Sequence, residues 1–588
     1  MKSRTSFFNK TIFQKDLTRF APAWGTCLIL MLLALISMAD RSFAYYRLQN
    51  VRDSITLMSW LNLIYGCIVA QLLFGDLFQS RMCNALHSLP LRRECWFGSH
   101  VTAGLLFSFV PNLVLGLLGV ALLGLGKGWC VPFLWILASG IQYLFFFSLA
   151  VLCMMLVGNR FAQVLVYGIV NVFSLIVYWL VDSLYEPLLH GIRIPGDPFL
   201  TWCPVGKMIG SMELVEVVRG HIYNDIGGIE ESYIDHIAIG PEWGYMIICA
   251  LLGIALLALA LVLYRKRKLE CAGDFIAYRF VEPIFLILYT ICAGAFLHLF
   301  SEMFGGVDYL FLAIGIAVGF FTGLMLLQRT TRIFRKKAFA QFALFAAVFV
   351  LTLVLTWLDP LRITYRVPEL NEIASVKLSN SSELTSYQGE GEVELTDPAE
   401  IQDMLDIHRD CLKGGEAYVY HADYNVNIRL EYTLTDGSTM NRFYRIDPNC
   451  AAGQTAEKYF SSLEAVLGIS EAELGTLAEN VEIVYFDTKW DSAQTLEDLG
   501  IDVEEMLRAI AADCAEGNMA QMYAYHYVPN LDRSNQVTYI EMQLNRSAAE
   551  LREMGYRYIS ISIYEEARHT LAWLEKNDLM PKPEPGWG

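Results

Sequence analysis

Up to residue 358 the chain alternates long apolar runs with short polar breaks; beyond it come stretches in which apolar and polar positions alternate one by one. Nine runs, roughly 21–39, 55–77, 98–125, 131–157, 161–181, 244–264, 283–300, 308–327 and 339–358, approach the about 20 apolar residues that a helix needs to cross a bilayer. Lipid offers no partner to a free N–H or C=O, so each run is expected to be helical. The second run carries Asn62 and Asp76, and only a few residues around Lys127 and Trp129 separate the third from the fourth.

Ahead of these runs, residues 1–20 are basic and rich in Phe. Ile12, Phe13, Leu17 and Phe20 share about half of a helical wheel, with Asp16 falling among them. The stretch reads as a cytoplasmic interfacial helix or as a solvated basic tail. No small-residue cleavage site follows a short apolar core, so the first run is expected to stay in the membrane. Residues 183–243 are polar, acidic and turn-rich, and are expected to carry short helices of their own.

From about 360 the alternation predicts strands at 361–367, 392–395, 480–488, 536–544 and 556–564. A hairpin is expected over 426–446, turning at Asp436-Gly437. Asp397-Pro398-Ala-Glu400 opens a helix towards Cys411, with Asp as N-cap, Pro at the first helical position and Glu400 placed for a capping box. Further helices are expected at 455–467 and 492–515. The fold class is thus an α-helical polytopic membrane protein of about nine transmembrane helices, followed by an α+β domain over 359–588.

Composition supports that class: 55% of the 588 residues are hydrophobic and 18% charged. The net charge of −17 is unevenly spread, because Asp359 onward holds about 41 acidic and 18 basic residues. The earlier basic residues sit in clusters beside apolar runs, which fits an inner membrane face and its lipid rather than nucleic acid. With the N-terminus inside, the tail, the 78–97 loop, Arg160, Arg265–Lys268 and Arg329–Lys337 all fall on the cytoplasmic side. Arg41, Arg47 and Arg52 are a mild exception. Nine crossings then put 183–243 and everything after Asp359 outside the cell.

The 13 cysteines show no CxxC pair and no metal spacing; Cys411, Cys450 and Cys514 lie in the acidic domain, where Cys411–Cys450 is the pair open to a disulfide. Gly124-Leu-Gly126-Lys127-Gly128 misses the phosphate-binding G-x-x-x-x-G-K-[ST] pattern at both ends. Neither H-E-x-x-H nor G-x-S-x-G occurs. No catalytic, cofactor-binding or metal-binding residue is expected. Asp76 reads as an interfacial carboxylate pairing with Arg81 or a neighbouring helix, and Asn112 and Asn171 as makers of interhelical hydrogen bonds. His298, Glu302 and Asp308 read as a surface group, while His408, His421, Asp423 and His526 lack ligand spacing.

One loop remains. Ala85-Leu-His87-Ser88-Leu89-Pro90-Leu-Arg92-Arg93-Glu94, after the second run, resembles the "HSLP-x-[KR]-[KR]-E" loop of ABC-2-type transporter permeases of Gram-positive bacteria. Tyr264-Arg-Lys-Arg-Lys-Leu-Glu270-Cys-Ala272-Gly273-Asp274-Phe-Ile-Ala277-Tyr-Arg279 resembles the "R-x-x-E-x-A-G-x-x-I-A-[FY]" run of the same group. The stretches Asp397–His408 and Leu430–Gly437 are similar to an extracellular domain of unknown function that ends some of these permeases.

The resemblance implies a six-helix permease core over 21–264, three additional helices over 265–358 and an outer domain in a bacterial plasma membrane. Two such subunits, identical or paired, would form the channel, with a dimer of separate ABC ATPase subunits binding ATP and Mg²⁺. The 78–97 loop would be the coupling element. Leu89 before Pro90 is biased away from helix, so a short helix over about 79–88 should stop there. Arg81, Leu86, His87, Ser88, Leu89, Pro90, Arg92, Arg93 and Glu94 are then the expected ATPase contact, although Arg92 and Arg93 also suit lipid phosphates. An amphipathic substrate (peptide, antibiotic or lipid) suits the apolar helices. The alternative is a membrane-anchored sensor or immunity protein whose outer domain binds a peptide or envelope component without transport.

Overall fold

The computed structural model of the chain describes residues 8–39, 44–88, 90–122, 129–194, 197–209, 214–223, 229–302, 308–380, 392–413, 426–446, 450–486, 501–519, 536–544, 558–577 and 579–580. The chain forms two compact units. The first takes Met1–Val181, Pro195–Ile222 and Ile229–Leu351; the second takes Asp182–Ile194, Tyr223–Gly228 and Thr352–Gly588.

The first unit is helical. α1 (Lys10–Arg19) starts where the Asn9 side chain accepts the Thr11 and Ile12 N–H groups at 2.9 and 3.3 Å. Its Ile12, Phe13, Leu17 and Phe20 pack on the main core, so it is a docked helix rather than a solvated tail. Then come α2 (Ala21–Ala39), α3 (Ala44–Phe74), α4 (Ser80–His87), α5 (Arg93–Leu122), α6 (Val131–Leu156) and α7 (Arg160–Leu184). Short α8 (Asp197–Thr201) and α9 (Pro204–Ile209) precede an antiparallel β1 (Val215–Tyr223) and β2 (Ile229–Ile239). The short helices are as expected; the hairpin is an addition to them. α10 (Trp243–Lys266), α11 (Val281–Glu302), α12 (Asp308–Gln328) and α13 (Lys336–Leu358) complete the unit's helices.

Among the described residues eight helices are long and apolar enough to cross a membrane: α3, α5, α6, α7, α10, α11, α12 and α13. The apolar α2 makes a ninth when counted with α1, from which it bends by 58°. α6 lies at the centre, packed by α3, α5 and α10. Close approach there needs glycine: a Cβ on Gly66 would stand 2.9 Å from the Phe147 backbone nitrogen.

Buried polar groups in this core find one another, as an apolar interior requires. The Asn62 amide donates to the Ser139 carbonyl at 3.1 Å, and the Ser139 hydroxyl donates to Asn112 at 3.2 Å, joining α3, α6 and α5. Asn171 instead donates within its own helix, to the Tyr167 carbonyl at 2.8 Å, contrary to the interhelical role expected for its side chain. His298 is buried against Trp179, with ring centroids 4.8 Å apart, rather than on the surface.

The second unit has two antiparallel sheets. The first has strand order β4-β3-β5-β6, from β3 (Ile373–Asn380), β4 (Glu392–Leu395), β5 (Val426–Leu434) and β6 (Thr439–Ile446). α14 (Pro398–Leu412) and α15 (Ala451–Phe460) share its core. Asp397 caps α14 by accepting the Ala399 N–H at 2.9 Å. After α16 (Leu463–Leu467) and α17 (Leu474–Asn480), the second sheet runs β7-β8-β9 from β7 (Val481–Phe486), β8 (Gln536–Leu544) and β9 (Tyr558–Tyr564). α18 (Val503–Ala515) and α19 (Arg568–Lys576) lie in its core. The expected helix at 492–515 is described from Val503; residues 487–500 lie outside the described residues.

One expectation for this unit needs correction. Residues 361–367 form turns, not a strand: Asp359 and Arg362 are left-handed, with φ of 39° and 51°. The Asp359 carboxylate accepts the Ile363 and Thr364 N–H groups at 3.0 and 2.8 Å, and buried Arg442 donates to the Ile363 carbonyl at 2.9 Å. Local capping therefore overrides the alternation. All thirteen cysteines, Cys411 and Cys450 included, are free thiols.

Candidate functional site

The two motif stretches of the first unit meet. α3 ends at Phe74, a single 3₁₀ turn (Gly75–Phe78) follows, and α4 begins at Ser80. Leu77, Phe78 and Cys83 are buried, which pins the base of the loop. α4 stops at His87, one turn short of Pro90, as the proline predicts. Its last turn closes through Ser88, whose hydroxyl donates to the Ala85 carbonyl at 2.8 Å.

Beyond that the expected contact residues divide. Arg81, Ser88, Pro90 and Arg92 are exposed. The side chains of Leu86 and His87, and all of Leu89, lie outside the described residues. Arg93 and Glu94 are half-buried and bond within the chain. The Arg93 guanidinium donates from Nη1 to the carbonyls of Tyr264, Arg265 and Arg267 at 3.1, 3.0 and 2.9 Å. Glu94 pairs with Arg265 at 2.9 Å. Sequence reasoning placed both residues at a partner surface; here they join the first motif to the second.

The second motif is itself fastened to α6. Arg267, 6% exposed, donates from Nη1 to the Met154 and Met155 carbonyls at 2.7 and 3.0 Å. Burial lowers its pKa from the ordinary guanidinium value. Gly273, with φ of 94°, donates its N–H to the Gly158 carbonyl at 2.7 Å, and the Ala277 N–H reaches the Leu156 carbonyl at 2.8 Å. Gly158 cannot be anything larger, because a Cβ there would stand 2.2 Å from the Cys271 carbonyl oxygen.

α1 braces the same region. Arg19 pairs with Asp76 at 3.7 Å, so Asp76 finds a neighbouring helix, one of the two partners foreseen for it. The Asn9 N–H donates to Ser99 Oγ at 2.8 Å, and Asp16 stands 2.6 Å from His100, both buried. Asp16, a blemish on the apolar face by sequence, is the residue that grips α5.

In the second unit, buried His408 lies 3.1 Å from the Tyr432 hydroxyl, with Tyr444 beside it. Burial, and then the nearby Arg442 and Arg409, lower its pKa to about 3. It is a neutral core residue. No group of His, Cys, Asp or Glu placed to hold a metal ion occurs among the described residues. His421, Asp423, His526 and the Gly124–Gly128 stretch lie outside them.

Among the described residues, the geometry offers no nucleophile–base pair at this junction. What it offers is an exposed basic loop fixed to the ends of three long helices. No protein-family model, curated protein or solved structure matches the chain.

Proposed function

We propose that the chain is the membrane-spanning permease subunit of an ABC exporter, moving an amphipathic substrate outward with ATP hydrolysed by a separate subunit. The observation that carries this reading is the α3–α5 loop: its basic tip is exposed while its base is bolted to α10. A loop held this way can receive force from a protein docked below a membrane. Its exposed Arg81 and Arg92 suit an acidic cleft in such a partner. No ATP-binding element is needed in this chain, since the partner would bring ATP and Mg²⁺.

The reading takes nine crossings of the bacterial plasma membrane, with the N-terminus in the cytoplasm and the second unit outside. Support comes from α1, which packs beside the start of α5. α2 therefore begins at the same face where α3 ends, and has to traverse the bundle. The loops at 75–92, 157–160 and 267–280 share that face, and their Arg and Lys content suits the cytoplasm. Two permease subunits would face each other, as a homodimer or a pair.

The test is capture of an ABC ATPase subunit by the full chain. The wild type should bind it and stimulate its hydrolysis of ATP, and Arg81→Glu with Arg92→Glu should abolish both. A wild-type chain that binds no ATPase, while its second unit holds a peptide or envelope component tightly, would establish the sensor reading instead.

A further inference from the structure

Arg93 stands at the wrong end of its own helix. It is the first residue of α5, where unpaired amide N–H groups make the backbone electropositive and disfavour a cation. Its guanidinium instead meets the last carbonyls of α10, the electronegative end of another helix, with three acceptors within 3.1 Å. Arg267 repeats the arrangement one step on, from the end of α10 to the last carbonyls of α6. Each guanidinium also stands about over an aromatic ring, Tyr264 at 5.9 Å for Arg93 and Phe78 at 6.0 Å for Arg267. Apolar side chains could join three helices without the cost of burying charge. Guanidinium donors on terminal carbonyls do something else: they hold helix ends rather than helix flanks.

We infer that Arg93 is a positioning residue that makes the 80–92 loop, the end of α10 and, through Arg267, the end of α6 a single moving part. This rests on the reading of that loop as the ATPase contact. A push on the exposed tip is then delivered to α10 and to the central helix α6, and not only to α3 and α5, which continue directly from the loop. Arg93 never touches the ATPase; Arg81 and Arg92 do.

The experiment uses the full chain in lipid nanodiscs, alone and with the ATPase it captures. Arg93→Gln should raise amide exchange at Gly273 and Ala277 by about fivefold or more, the effect of losing roughly one net hydrogen bond's worth of local stability. Exchange in α12 should stay at the wild-type level, which shows that the first unit is folded. Arg93→Gln should still bind the ATPase, yet lose most of the stimulation. Arg93→Lys, which keeps the charge but not the planar guanidinium beside the Tyr264 ring, should fall between the two. Arg92→Glu should weaken ATPase binding and leave exchange at Gly273 and Ala277 unchanged.

Wild-type exchange in Arg93→Gln overturns the inference, and so does raised exchange with full stimulation. If the wild type captures no ATPase, the reading of the loop fails. The exchange measurement still decides whether Arg93 holds the three helix ends together.

Discussion

Asp16 Oδ2 and His100 Nδ1 stand 2.6 Å apart, both nearly sealed from solvent, the one on α1 and the other on α5. The His100 ring is itself held by Trp96, with centroids 4.0 Å apart. Removing one partner leaves the other buried and unpaired, which costs about 1–3 kcal/mol. Asp16→Ala should lower the melting temperature of the detergent-solubilised chain. Asp16→Ala with His100→Phe should recover part of the loss, because neither polar group is then stranded. A double variant less stable than the sum of the singles would show that the pair is not what holds α1 down.

His408 makes the second unit sensitive to acid. Its folded pKa, about 3, lies below the ordinary 6.5, so the unfolded chain binds a proton that the folded chain refuses. The stabilisation from its neutral form is complete above pH 6.5 and is lost as the pH falls from there towards 3. His408→Phe should flatten that part of the stability–pH curve, read by urea unfolding at several pH values. An unchanged slope would assign the acid sensitivity to other groups.

Gly158 is a steric test of the basic-face junction. With no room for a Cβ against the Cys271 carbonyl, Gly158→Ala forces the 271–274 turn away and should destabilise the fold by about 1–3 kcal/mol. Gly140, which has open space around its would-be Cβ, is the matched control. Fluorescence-detected size exclusion after mild heating should show loss of the monodisperse peak for Gly158→Ala and none for Gly140→Ala.

Asp513 is fully buried at the end of α18 and caps α19 from a distance in sequence. Its carboxylate accepts the Thr570 N–H and hydroxyl at 2.7 Å each and the His569 N–H at 3.0 Å. Asp513→Ala should cost about 1–3 kcal/mol. Limited proteolysis should then cut first within 568–577, and a digestion pattern equal to that of the wild type would refute the cap.

The long helices were legible because an apolar run has to be helical in lipid, and their observed ends fall within a few residues of the runs, apart from the N-terminal extension of α3 to Ala44. α4 was legible from Pro90 alone. The 361–367 turns were not, since the alternation there imitates a strand and the deciding group, Arg442, arrives from about 80 residues away. The bonds of Arg93 to α10 were hidden for a more general reason. Its partners are backbone carbonyls, which every residue carries, so no side-chain pattern marks them. The one available hint was a cation on the first residue of a helix.

The segment Asp182–Ile194 belongs to the second unit, and its Gly191 carbonyl accepts the N–H of Phe443 on β6 at 3.0 Å. Gly191 is left-handed, at φ of 71°, and a Cβ there would strike the Tyr444 ring, so the seam is shaped for this one residue. The second unit thus draws on a stretch that follows α7 as well as on the long one that follows α13. After a cut behind α13, only non-covalent contacts such as this seam would remain to hold the fragment.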